Sequence, residues 1–200
     1  MHDNSTRRDI DPIVQLLTTM MVISRGGHLL DEDTPLARAT IEFLTNNWIQ
    51  AQSGLLAKTK KIEVHPESLP APRVFNFQMF CPYKRKEFSE APIELFPGPL
   101  RGKIYYRFDL LSPSDDAPAV VVAIEDRSFF HPNFSRRHGL LCIGHWPPGP
   151  IMLEDLLQHI YRIVTYQNLR VMHPADGEAA TFFATDPDAM RGLEEVKPLY

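Results

Sequence analysis

Ile104-Tyr105-Tyr106-Arg107-Phe108-Asp109-Leu110 places an apolar side chain at every second position, and after a polar stretch the chain returns as Ala119-Val120-Val121-Val122-Ala123-Ile124. The first segment is expected to be a half-buried strand with Ile104, Tyr106, Phe108 and Leu110 on one face. The second is a short valine-rich run without alternation, as in a strand buried on both faces. Ser112–Asp116 between them is turn chemistry, and short connections of this kind join antiparallel strands. Upstream, Phe75, Phe77 and Met79 alternate with Asn76 and Gln78 as another strand, followed by the turn residues Pro97-Gly98-Pro99. Of the 18 prolines, 13 lie between residues 66 and 150, where they argue against long helices.

Outside this region the period changes from two to between three and four. Asp11-Pro12 is a helix start, followed by Ile13, Leu16, Leu17, Met20 and Met21 and stopped by Gly26-Gly27. Thr34-Pro35 is a second start, with Ala37, Ile41, Leu44, Trp48 and Ala51 on one face and Gly54 closing it. Leu153, Leu156, Leu157, Ile160, Tyr161 and Val164 form a third stripe, and Ala179, Ala180, Phe182 and Phe183 belong to a last helical piece. Helices, antiparallel strands, then helices make an α+β chain, an antiparallel β-meander flanked by helices. Residues 1–30 are expected as an N-terminal helical extension and residues 31–200 as the domain proper. There is no internal repeat and no low-complexity segment.

Of the 200 residues, 44% are hydrophobic and 23% charged, which suits one sizeable core. The net charge of −4 offers no broad cationic field for nucleic acid or for an anionic membrane surface. The short basic runs Lys84–Lys86 and Arg136–Arg137 are expected to be solvated loop charges. No apolar stretch has the length of a membrane span, and the polar start, Met1–Asp9, is unlike a signal peptide. Cys81 and Cys142 lie far apart with no disulfide framework, so both are expected as free thiols in a reducing compartment, the cytoplasm. Cys81, between Phe80 and Pro82, reads as a packing residue.

The segment from residue 131 to 149 is the most unusual of the chain. His131-Pro132-Asn133-Phe134 is followed by Gly139-Leu140-Leu141-Cys142-Ile143-Gly144-His145-Trp146-Pro147-Pro148-Gly149, which reads as a long loop with three of the eight histidines. Loops fixed between rigid elements tend to hold function. Three readings compete. Cys142 is a nucleophile, with the Asn133 amide serving a developing oxyanion or the loop around it. Alternatively His131, His138, Cys142 and His145 hold zinc, although the spacing supplies a single plausible half-site, Cys142-x-x-His145. In the third, Cys142 is an inert thiol.

The order of these residues resembles the active-site region of ubiquitin-conjugating enzymes. In that family a His-Pro-Asn tripeptide (here His131-Pro132-Asn133) precedes the catalytic cysteine (Cys142, three after Gly139), a Trp-Ser-Pro-like element (Trp146-Pro147) follows it, and then comes the central helix (Leu153-x-x-Leu156-Leu157). His173-Pro174-x-x-x-Glu178-Ala179-Ala180 is similar to the family's Asp-Pro…Glu-Ala-Ala segment, and Phe96-Pro97-Gly98-Pro99-x-x-Gly102 to its Gly-Pro…Gly-Gly turn. The likeness spans about residues 73 to 185. It departs in an Asn133–Cys142 spacing of nine positions and a Cys142–Trp146 spacing of four, in lacking an acidic residue just past the cysteine, and in the extra N-terminal helix. These departures look like those of divergent bacterial and archaeal relatives in ubiquitin-like conjugation operons, some of them antiviral.

The resemblance implies a ubiquitin-conjugating-enzyme-like fold and a cysteine acyl transferase. Cys142 takes a ubiquitin-like protein from an activating enzyme as a thioester and passes it to a lysine of a target protein. No metal and no bound cofactor are implied, because ATP is consumed upstream. Asn133 is implied as the oxyanion or loop-holding residue, and His131, Pro132, Gly139 and Trp146 as structural parts of the active-site loop. His145, where other members carry a carboxylate, is a candidate for deprotonating the incoming lysine. The alternative within the same fold is a catalytically inactive module that binds a ubiquitin-like protein. A zinc-binding or cysteine-hydrolase domain unrelated to this fold is the other.

Overall fold

A computed structural model describes residues 34–107, 110–111, 119–144, 150–169, 173–193 and 199. The elements run α1 (Pro35–Ser53), α2 (Leu55–Lys58), β1 (Ile62–Pro66), β2 (Val74–Met79), β3 (Tyr83–Arg85) and β4 (Glu94–Phe96). They continue as β5 (Leu100–Tyr106), β6 (Val120–Ile124), β7 (Phe134–Ser135), β8 (Leu140–Leu141), α3 (Leu153–Val164) and α4 (Gly177–Thr185). The helix expected from Asp11 to Gly27 lies outside the described residues.

α1 begins where its sequence signals place it. The Thr34 hydroxyl accepts from the Ala37 amide at 3.1 Å, Pro35 opens the first turn, and Gly54 closes the helix. Its buried line is Ala37, Thr40, Leu44, Asn47, Trp48 and Ala51. Ile41, expected on that face, sits on its flank and is partly exposed. Thr40 and Asn47 point inward instead, because the stripe is centred nearer Leu44 and Ala51.

The strands form one six-stranded antiparallel sheet in the order β1-β2-β5-β6-β8-β7. The separate β3–β4 hairpin is inserted between β2 and β5. Phe75, Phe77 and Met79 are buried together with Leu100, Ile104, Tyr106, Val120, Val122 and Ile124. Trp48 of α1 meets Phe75 at 5.6 Å between ring centres, and the Tyr106 hydroxyl donates to the Ile151 carbonyl at 3.0 Å, just ahead of α3. α1 and the approach to α3 therefore pack against the same face of the sheet.

Two expectations about strands are corrected. The strand expected over 104–110 is β5, which starts at Leu100 and ends at Tyr106, with the buried Leu110 in a turn and Phe108 outside the described residues. Gly102 pairs with Phe77 and hides the alternation, since it has no side chain to show it. The stretch expected as a loop over 131–149 is not a plain loop in its described part, 131–144, because its two-residue strands β7 and β8 pair with each other and β8 extends the sheet from β6. Strands that short leave no periodic trace.

Candidate active site

β6 leads through a turn into Phe129 and Phe130, both fully buried, and then into the His131-Pro132-Asn133 corner. The corner is pinned from three sides. The Phe130 amide donates to the Lys84 carbonyl at 2.9 Å, and the Tyr166 hydroxyl donates to the Phe130 carbonyl at 3.0 Å. The Ala175 and Asp176 amides both donate to the Pro132 carbonyl, at 2.8 and 3.1 Å. Ala175 and Asp176, just ahead of α4, thus form a brace under the corner.

His131 is wholly enclosed. Its ring stacks on Phe129 at 5.4 Å and packs against Tyr166 at 4.7 Å. Nδ1 accepts from the Asn133 amide at 2.9 Å, so this nitrogen carries no proton and the ring is neutral with its hydrogen on Nε2. Burial pushes its pKa down to about 3, against the opposing pull of the Ile163 carbonyl. A ring so committed cannot also turn to a metal beside Cys142, which removes His131 from the zinc reading. Among the described residues no three His, Cys, Asp or Glu side chains come together as a metal site. His145 and Trp146 lie outside the described residues.

Asn133 and Cys142 face each other as the next pair beyond Phe134 and Leu141. The Cys142 amide donates to the Asn133 carbonyl at 2.7 Å, and the Asn133 side-chain Nδ2 donates back to the Cys142 carbonyl at 3.2 Å. Asn133 is buried, whereas Cys142 is half-buried at the end of β8. Of the two uses weighed for the Asn133 amide, this geometry displays the one that shapes the cysteine's own backbone. Between the two strands Gly139 turns the chain at φ 70°, a conformation costly for any other residue, and its amide donates to the Ser135 carbonyl at 2.6 Å.

Several supporting residues were visible in the sequence, but their partners were not. Arg136 pairs with Asp176 and Glu178, both at 2.6 Å, and Lys86 pairs with Glu178 as well. These bonds, from Lys86 first, hold the Glu178 carboxyl below its usual range. Lys84 is buried with Nζ donating to the Arg191 carbonyl at 2.9 Å, and Arg85 pairs with Asp126 at 3.1 Å. The basic runs are therefore mostly structural ion pairs and not solvated charges; Arg137 is the one that stays exposed. Each partner is distant in sequence, which is why composition could not show them. Cys81 is buried as expected, and burial pushes its thiol up to about 12.

Among the described residues no helix is long and apolar enough to cross a membrane. Compared with protein-family models and with curated protein sequences, the chain matches none.

Proposed function

We propose that this protein is a ubiquitin-like-protein conjugating enzyme in which Cys142 carries the modifier as a thioester. The observation that carries the reading is the reciprocal Asn133–Cys142 pairing, which fixes a half-buried thiol at the end of a sheet strand. The element order supports it. A helix, an antiparallel run, the His131–Asn133 corner, a short hairpin, the cysteine and a central helix follow one another as a ubiquitin-conjugating-enzyme-like fold requires.

In the first step the Cys142 thiolate attacks the thioester carbonyl on an activating enzyme. A new sulfur–carbon bond forms and the activating enzyme's thiolate leaves. In the second, a target lysine amine attacks the Cys142 thioester, the carbonyl oxygen becomes an oxyanion, and collapse expels the Cys142 thiolate while the amine gives up a proton. The thioester conserves the activation energy, so the protein has to position the amine and stabilise the oxyanion. Neither step needs a metal or a bound cofactor. Asn133 holds the Cys142 backbone in register for both. His145 is the candidate acceptor for the amine's proton. Its partners are a ubiquitin-like protein, its activating enzyme and a protein substrate, with neither nucleic acid nor membrane. The departures it shares with divergent bacterial and archaeal relatives point this reading to a prokaryotic conjugation system in the cytoplasm.

The test is a covalent trap. Cys142→Ser is expressed in the source cells, purified under denaturing conditions and examined by mass spectrometry for an added protein held as an ester at residue 142. An adduct there identifies the modifier. A clean protein, beside a wild type that forms no reducible adduct, sinks the catalytic reading and leaves the non-catalytic binding module.

A further inference from the structure

His159 lies on α3, beside the stripe that buries Leu156, Leu157 and Ile160. Its Nε2 is 2.7 Å from the Ile143 carbonyl oxygen, and since a carbonyl can only accept, the imidazole is the donor. Ile143 is the residue after Cys142. The backbone around the thiol is therefore held at three polar groups of two consecutive residues. The Cys142 amide and carbonyl are taken by Asn133, and the Ile143 carbonyl by His159. The next residue is Gly144 at φ 84°, where the chain enters a conformation that glycine tolerates and other residues resist. The His159 bond is thus placed just before a glycine at positive φ.

The two anchors come from different bodies. Asn133 belongs to the corner at the edge of the sheet, whereas His159 projects from a helix rooted by Ile160 and Ile163, both fully buried. Holding one short segment from the sheet on one side and from the helix on the other fixes the peptide between Ile143 and Gly144.

We infer that His159 is a positioning residue for Cys142: it clamps the Ile143 carbonyl to α3 and so sets the orientation of the reactive thiol. For catalysis this rests on the conjugating-enzyme reading, but the clamp itself can be tested without any modifier.

The experiment compares wild type with His159→Leu, which keeps bulk and loses the donor, and His159→Gln, whose amide nitrogen can reach the same carbonyl. The rate of Cys142 alkylation by iodoacetamide is followed site by site by mass spectrometry, with melting temperature alongside. His159→Leu is expected to raise Cys142 alkylation at least about threefold as the segment loosens, with a melting temperature close to wild type, and His159→Gln to restore the wild-type rate. In the source cells, His159→Leu is expected to transfer its adduct to targets about tenfold or more slowly, since small misplacement of a reacting group costs that much or more. Unchanged alkylation in His159→Leu overturns the inference. So does a His159→Gln variant indistinguishable from His159→Leu, which would make the effect one of helix packing. If wild type carries no adduct at all, the conjugating-enzyme reading fails while the alkylation rates still decide the clamp.

Discussion

Asn133 meets Cys142 with its main chain and its side chain at once, and that double contact is what the corner delivers. Asn133→Ala deletes the donor to the Cys142 carbonyl. A part-buried hydrogen bond of this kind contributes about 1 kcal/mol net, so a small loss of stability is expected in urea unfolding. Under the proposed function Asn133 holds the Cys142 backbone for both steps, so the same change is expected to slow both charging and discharge of Cys142 by up to about 10²-fold; the two rates are assayed separately, and loss of discharge alone would point instead to a direct oxyanion contact. His131 makes a second prediction at this scale. Its folded pKa of about 3 lies below the ordinary 6.5 of the unfolded chain. Above pH 6.5 both states hold the ring neutral. Below it the unfolded chain binds a proton that the folded protein refuses, so stability present above pH 6.5 is lost as pH falls towards 3, by up to roughly 1.4 kcal/mol per pH unit. The His131 ring resonances are expected to stay flat from pH 8 to 4.5 in an NMR titration. A midpoint near 6 would show that the ring is not the enclosed acceptor described.

Helix α3 starts without a side-chain cap of its own, because its N-cap residue is Met152. The Leu153 amide is instead received by Asn47 Oδ1 of α1 at 2.7 Å, in a buried contact spanning 106 positions of sequence. One element caps another, and α3 in turn carries His159. Asn47→Ala leaves that amide buried without an acceptor, at an expected cost of about 1–3 kcal/mol in chemical or thermal unfolding. Asn47→Leu is expected to lose as much, since the acceptor is what matters and not the volume. Full stability in either variant would show that the helix start needs no partner from α1. α4 behaves differently: its own Asp176 caps it by accepting from the Ala179 amide at 3.0 Å, and the same carboxylate holds Arg136 of the β7–β8 turn.

At the scale of the whole molecule, β5 passes between β2 and β6 with no room to spare at Gly102. A Cβ on Gly102 would land on the Ala123 carbonyl oxygen and 2.6 Å from the Phe77 ring. Neither a paired backbone nor a fully enclosed ring yields easily, so Gly102→Ala is expected to cost about 3 kcal/mol, the upper part of the range for overpacking. Gly177, at the start of α4, has nothing within 4 Å of such a Cβ, and Gly177→Ala is expected to be neutral or to stabilise by up to about 1 kcal/mol. Paired melting curves check both; equal effects would mean that the sheet is looser than its register implies.

The long elements were legible because periodicity and caps are local. Thr34-Pro35 and Gly54 bracket α1, the leucine stripe from Leu153 marks α3, and Phe75, Phe77 and Met79 mark β2, each by neighbours within a few residues. Cys142 and Asn133 could be singled out for the same reason, as parts of one short motif. The tertiary structure alone decided the rest. The inserted β3–β4 hairpin, the extension of the sheet by β8, the cap from Asn47, the brace under Pro132 and the His159 clamp join residues far apart in sequence. Such contacts leave no periodic mark, because a hydrogen bond or ion pair across the fold depends on where the backbone brings two groups and not on what stands beside either of them in the chain.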